Sequence, residues 1–83
     1  MATKSQKTPF ELAVIDAVRQ KRAEKGLSQE ELAMILDTDR SFVGQVESPS
    51  NPAKYNLNHL NKIALEWGCS PREFLPVEAI KHQ

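Results

Sequence analysis

Cysteine, long apolar runs and net charge are all scarce in this 83-residue chain, and each scarcity excludes something. The one thiol, Cys69, rules out an internal disulfide. Between Gly68 and Ser70 it reads as a small buried hydrophobe. Neither His59 nor His82 stands at a metal-ligand spacing from it, so no metal and no cofactor are expected. No apolar run approaches the roughly 18 residues of a membrane span. The opening MATKSQKTP carries basic residues but no apolar stretch leading to a cleavage site, so no signal peptide is read and a cytoplasmic location is expected. With 3 glycines there is no phosphate-cradling loop, and no nucleophile–base set is visible, so the chain is not expected to be an enzyme.

Charge is balanced, 11 basic residues against 11 acidic, but it is unevenly placed. Residues 1–26 hold six basic and three acidic side chains, whereas residues 27–48 hold Arg40 alone against Glu30, Glu31, Asp37, Asp39 and Glu47. Hydrophobic residues make up 40% and charged residues 27%, the balance of a globular domain. At this length there is one domain, burying about 60% of its unfolded surface, and local helical contacts are the cheapest way to build its core.

The apolar spacing is helical throughout, which predicts an all-α fold. Residues 1–8 are polar and read as a tail, either simply disordered or brushing an anionic partner. Thr8-Pro9 reads as an N-cap with proline at the first helical position. The helix it starts reaches about Lys25, with Phe10, Val14, Ala17 and Val18 on one face and Gly26 ending it. Ser28 and Glu31 form a capping box for a second helix carrying Leu32, Ala33, Ile35 and Leu36. Asp37-Thr38-Asp39 interrupts it, and Asp39 is placed to cap a third helix, Arg40–Glu47, with Val43 and Val46 inward. SPSNPAKYN, residues 48–56, is a loop. A fourth helix, Leu57–Trp67, carries Leu57, Leu60, Ile63, Ala64 and Trp67 at helical spacing. Ser70-Pro71-Arg72-Glu73 is a further capping box, starting a last helix that packs Phe74 and Leu75 inward and stops at Pro76. Residues 77–83 read as a short tail after a domain of residues 9–76.

Small Ala33 allows the third helix to cross the second closely, the arrangement of a helix-turn-helix whose second helix can enter a DNA major groove. The order of Arg22, Gly26-Leu27-Ser28-Gln29, Leu32-Ala33, Arg40-Ser41, Val43, Val46-Glu47 and Trp67-Gly68-Cys69-Ser70 resembles the Cro and phage-repressor (Xre-like) DNA-binding domains, from about Phe10 to Leu75. The resemblance implies a compact five-helix domain that binds double-stranded DNA, usually as a homodimer. It implies that Arg22 and Glu47 pair and lock the first and third helices, although Arg22 can also be read as a free phosphate contact. It also places Gln29 against the sugar–phosphate backbone.

The base-reading candidates are Arg40, Ser41, Gly44 and Gln45. Arg40 can bond O6 and N7 of guanine, or be a solvated charge near Asp37. Gln45 can pair with adenine or steady a phosphate, and Ser41 can bond either. Gly44 costs roughly 1 kcal/mol against alanine in a helix, which close approach to DNA would explain, as would a neutral surface position. Lys54 and Tyr55 are further phosphate candidates. Three residues depart from the resembled pattern: Asp37 where the turn usually has glycine, Thr38 where it is usually apolar, and Phe42 where the recognition helix is usually small and polar. Phe42 can fold onto the core, meet a thymine methyl or contact a partner protein.

These residues predict a sequence-specific regulator that represses by occluding a promoter, with affinity resting on specific hydrogen bonds rather than a broad positive field. The alternative is an antitoxin or other protein-interaction module on the same fold, suggested by the acidic helix pair and an exposed Phe42.

Overall fold

Residues 7–81 are described by the computed structural model; residues 1–6 of the expected N-terminal tail and the last two of the C-terminal one lie outside the described residues. Four α-helices follow in order, α1 (Pro9–Glu24), α2 (Gln29–Leu36), α3 (Phe42–Glu47) and α4 (Leu57–Trp67), and then a 3₁₀ turn, Pro71–Phe74. Among the described residues there is no strand, and no helix there is long and apolar enough to cross a membrane. The expected fifth helix is therefore a single 3₁₀ turn. Ser70 Oγ accepts from Arg72 N–H (3.2 Å), not from the Glu73 N–H that a capping box requires. Pro76 has no N–H to bond back to Arg72, so an α-helix has nothing to propagate with. Glu73 turns instead to Lys21 of α1 (3.0 Å).

The other starts and stops are local chemistry. Thr8 with Glu11, and Ser28 with Glu31, each exchange side-chain and backbone hydrogen bonds at 2.7–3.1 Å. Asn56 and His59 do the same at α4, where His59 Nδ1 accepts from Asn56 N–H (3.0 Å). The left-handed backbone at Gly26, Asp37 and Gly68 ends α1, α2 and α4. Asp37 is the only non-glycine in that region among the described residues (φ 61°), a conformation aspartate tolerates better than most.

The buried core is assembled from Val14 and Val18 of α1, Leu32, Ala33 and Leu36 of α2, Val43 of α3, Leu60, Ile63 and Ala64 of α4, and Phe74. Ala33 is fully buried between α2 and its neighbours, where a larger side chain would force α3 outward. Three residues expected inward are not. Phe10 (36% exposed) and Leu57 (81%), in the first turns of α1 and α4, and Leu75 (41%), just past the 3₁₀ turn, border an open cleft instead. Trp67 packs edge-on against Phe74, with Lys25 Nζ 5.6 Å from its ring centroid. Cys69 is half-buried against the same core.

Across the core, one polar contact ties α1 to α3. Arg22 grips Glu47 with two parallel bonds, Nε to Oε2 (3.0 Å) and Nη2 to Oε1 (2.9 Å), and donates a third from Nη1 to Leu27 O (2.7 Å). The carboxylate side chain is only 6% exposed and the guanidinium 14%. Two charges this far from water are tolerated only while each keeps its partner. Glu47→Ala is therefore expected to lower the unfolding free energy by about 3–5 kcal/mol in chemical denaturation, and replacing both residues by apolar ones to recover much of that loss. The α4 cap makes a second prediction. Burial, and then Lys62, hold His59 below its ordinary pKa of 6.5, and only the neutral ring can accept at Nδ1. The stability this cap contributes is present above about pH 6.5 and is lost as pH falls below it. Thermal melts from pH 7.5 to 5 should show that decline, and His59→Gln, which keeps the capping box without the titration, should flatten it.

Candidate nucleic-acid interface

The α2–turn–α3 unit presents a polar face whose members are set by the turn. Asp39 was expected to cap a helix beginning at Arg40, but α3 begins at Phe42 with Ser41 in the N-cap position and no side-chain cap. The Asp39 carboxylate instead accepts from Ser41 N–H (3.1 Å) and from the Ser41 hydroxyl, while Phe42 N–H bonds Asp39 O (2.9 Å). Aspartate turning the chain onto the residue two ahead uses up one turn before the helix becomes regular. The Ser41 bonds hold the Asp39 carboxyl below its ordinary pKa. Arg40 and Ser41 thus stand on the turn, and Gly44 and Gln45 on the helix proper. Thr38 stays half-buried despite being polar, because its hydroxyl donates to Ala33 O (3.2 Å) at the end of α2.

Arg40, Ser41 and Gln45 are exposed and adjacent. Gln45 Nε2 lies 3.3 Å from Ser41 Oγ. The Arg40 guanidinium is 76% exposed and reaches Glu30 in the first turn of α2 (3.3 Å), not Asp37. An exposed pair of this kind is worth little, so Arg40 is free to exchange it for a better acceptor. Gln29 lies across the groove between the two helices, its Nε2 donating to Glu47 Oε1 (2.8 Å). A Cβ on Gly44 would come within 3.1 Å of Gln29 Oε1, so the missing side chain makes room for Gln29. Gln29, Gly44 and Glu47 therefore form one contact, with Arg40, Ser41 and Gln45 beside it.

The two loop candidates lie elsewhere. Lys54 is exposed and ion-paired with Glu11 at the start of α1 (2.8 Å), a bond that is the main reason Glu11 titrates below its ordinary range. Tyr55 is folded inward. Its hydroxyl is buried without a hydrogen-bond partner among the described residues, and burial pushes its pKa up. Such a hydroxyl is not presented to a phosphate.

Phe42 takes the first of the three courses open to it. It is half-buried against the core and stacks at ring-centroid distances of 5.1 Å from His59 and 6.1 Å from Tyr55. His59, considered on sequence spacing only as a metal ligand and set aside, is the capping and packing partner of this cluster. Lys7 was missed altogether. It is buried (6% exposed), and its ammonium donates to the carbonyl oxygens of Val46 and of Ser48 (2.7 Å for the latter), so it belongs to the fold and not to a tail. Nothing local in the sequence signals that reach of some forty residues.

The acidity of residues 27–48 is largely committed to structure. Glu31 caps α2, Asp39 holds the turn, Glu47 is bound by Arg22 and Gln29, and Glu30 faces Arg40. Among the described residues no three of His, Cys, Asp and Glu gather as a metal site would require.

A family model for Helix-turn-helix matches residues 18–74. No curated protein matches the chain. A solved structure described as a hypothetical transcription factor, NHTF, from Neisseria is similar at 31% sequence identity and a TM-score of 0.65, over 92% of this chain and 90% of that one. The matched span holds nearly half of α1, the whole α2–turn–α3 unit, α4 and the 3₁₀ turn, well over half of the sequence, and on that ground the chain belongs to the Xre/Cro-like helix-turn-helix family.

Proposed function

We propose that this protein is a sequence-specific, double-stranded-DNA-binding transcriptional regulator that reads its site through α3 and the turn before it. The observation that carries this reading is the exposed row Arg40, Ser41 and Gln45 on a helix whose inner face and far end are locked by Val43, Val46 and the Arg22–Glu47 pair. A rigid helix with bidentate-capable side chains on its outer face is what direct readout in the major groove requires. Arg40 takes guanine and Gln45 adenine, Ser41 contributes a base or phosphate bond, and Gly44 keeps the backbone low beside Gln29. Gln29, at the start of α2, contacts the phosphates.

The regulator acts as a homodimer that represses by occupying a promoter. Two copies would set their recognition helices about 34 Å apart on successive turns of the groove. The open cleft of about 160 Å³ between α1 and α4, bordered by Phe10, Leu57, Leu60 and Leu75, supports this, since it leaves apolar side chains uncovered in the single chain. The inward turn of Phe42 removes the exposed aromatic that favoured a protein-interaction module, and the acidic residues beside it have structural partners.

Selection from a random duplex pool at low salt should enrich a two-fold symmetric site. Arg40→Ala should lose about 1–3 kcal/mol of affinity and relax preference at one base position in each half-site. Absence of any enriched sequence with the folded wild-type protein would sink the assignment. Leu57→Glu, at a position 81% exposed, should leave the melting temperature nearly unchanged and shift sedimentation from dimer to monomer; an unaltered dimer would place the two-fold contact elsewhere.

A further inference from the structure

We propose that Lys7 is a positioning residue for the recognition helix, its ammonium clamping the carbonyl oxygens of Val46 and Ser48 and so fixing the angle at which α3 meets DNA. The proposal rests on the DNA-reading function above.

At six residues, α3 is too short to hold itself together by its own backbone bonds. The last four carbonyl groups of any helix lack an intrahelical partner, and here they belong to residues that must hold still. Ser48 N–H closes back on Gly44 and Gln45, which satisfies part of the end. Lys7 adds bonds from outside to Val46 O in the last turn and to Ser48 O just beyond it, a cation at the negative end of the helix. Arg22 reaches the same end from α1, through Glu47. The end of α3 is thus held on one side by α1 and on another by the segment that precedes it. With the Lys7 hold gone, the end of α3 keeps the side-chain bonds of Arg22 and Gln29 to Glu47 but loses those to the backbone carbonyls of Val46 and Ser48, so its last turn is held less firmly.

The clamp is not a phosphate contact. Lys7 is 6% exposed, with its charge directed at carbonyl oxygens. Burial pulls its pKa down, with Glu11 opposing. A desolvated ammonium persists only where acceptors replace its water, and the two carbonyls do so. These facts separate two roles that a lysine near a DNA-binding surface can have. A phosphate contact contributes counterion release; a positioning residue contributes geometry.

The test compares wild type with Lys7→Met, which keeps the buried stem and removes the donors, on the enriched site at several salt concentrations. Folding is checked by circular dichroism and α3 by amide exchange. Expected is a folded variant that binds about tenfold more weakly, the loss of charge-assisted hydrogen bonds, with an unchanged slope of log affinity against log salt and faster exchange across Phe42–Glu47. Wild-type affinity in the folded variant would overturn the proposal, and so would a slope reduced by about one, which marks a phosphate contact. If Lys7→Met does not fold, Lys7→Gln decides by the same measurements: weaker binding at unchanged slope supports the clamp, and wild-type affinity overturns it. A wild-type protein that enriches no site fails the DNA reading itself and takes the clamp's role in recognition with it, an outcome distinct from equal binding by both proteins.

Discussion

The two-pronged bond between Arg22 and Glu47 is the constraint on which the recognition surface depends. Hydrophobic packing alone buries Val43 and Val46, but packing is tolerant of small rotations and does not choose among them. A planar guanidinium meeting a carboxylate in plane does choose, because both bonds are made at only one relative orientation. Its burial raises the cost of every other arrangement, since a helix that turns away strands two charges out of water. The Arg22 bond to Leu27 O extends the same geometry to the connection between α1 and α2. Two helices and the connection leading to a third are indexed to one another through one side chain.

Around that fork the domain places its acids where they meet donors. This resolves the apparent conflict between a nucleic-acid reading and a helix pair carrying five carboxylates and one arginine. Carboxylates at helix starts and in the turn complement the helix dipoles and close backbone N–H groups, so they stabilise the unit without occupying the row that faces outward. The protein then carries no strong field to draw it to arbitrary DNA, and discrimination falls on a few directed bonds.

What could be read from sequence was what is settled within four or five residues. The Ser28–Glu31 box, the Thr8-Pro9 start, the Gly26 stop and the turn at Asp37 depend on neighbours along the chain, and the structure has them where the residues indicate. Arg22 and Glu47 were paired by resemblance, not by any local signal. The failures are contests between local and distant partners. Ser70 and Glu73 had the letters of a capping box, but Pro76 removed the donor that would continue the helix and Lys21 drew Glu73 away. Phe42, Tyr55 and His59 come from three separate stretches, and only the fold shows that they stack together. Phe10, Leu57 and Leu75 fit the apolar spacing yet end outside the core, since periodicity gives a face and not the length over which something covers it.

Glu47 has one further bond, to Gln29, and Gln29 in turn fills the space that Gly44 leaves. The side chain proposed to rest on the sugar–phosphate backbone is thus fastened to the same carboxylate that orients the reading helix. On the proposed reading, registration on the duplex and inspection of its bases are mechanically one act, so an error in either displaces both. Arg40, Ser41 and Gln45 stand outside that linkage, touching only exposed neighbours. On the proposed reading Arg40 and Gln45 form an exchangeable pair, and new sequence preference can arise there by replacement of these side chains while the frame that seats the protein on DNA is left untouched.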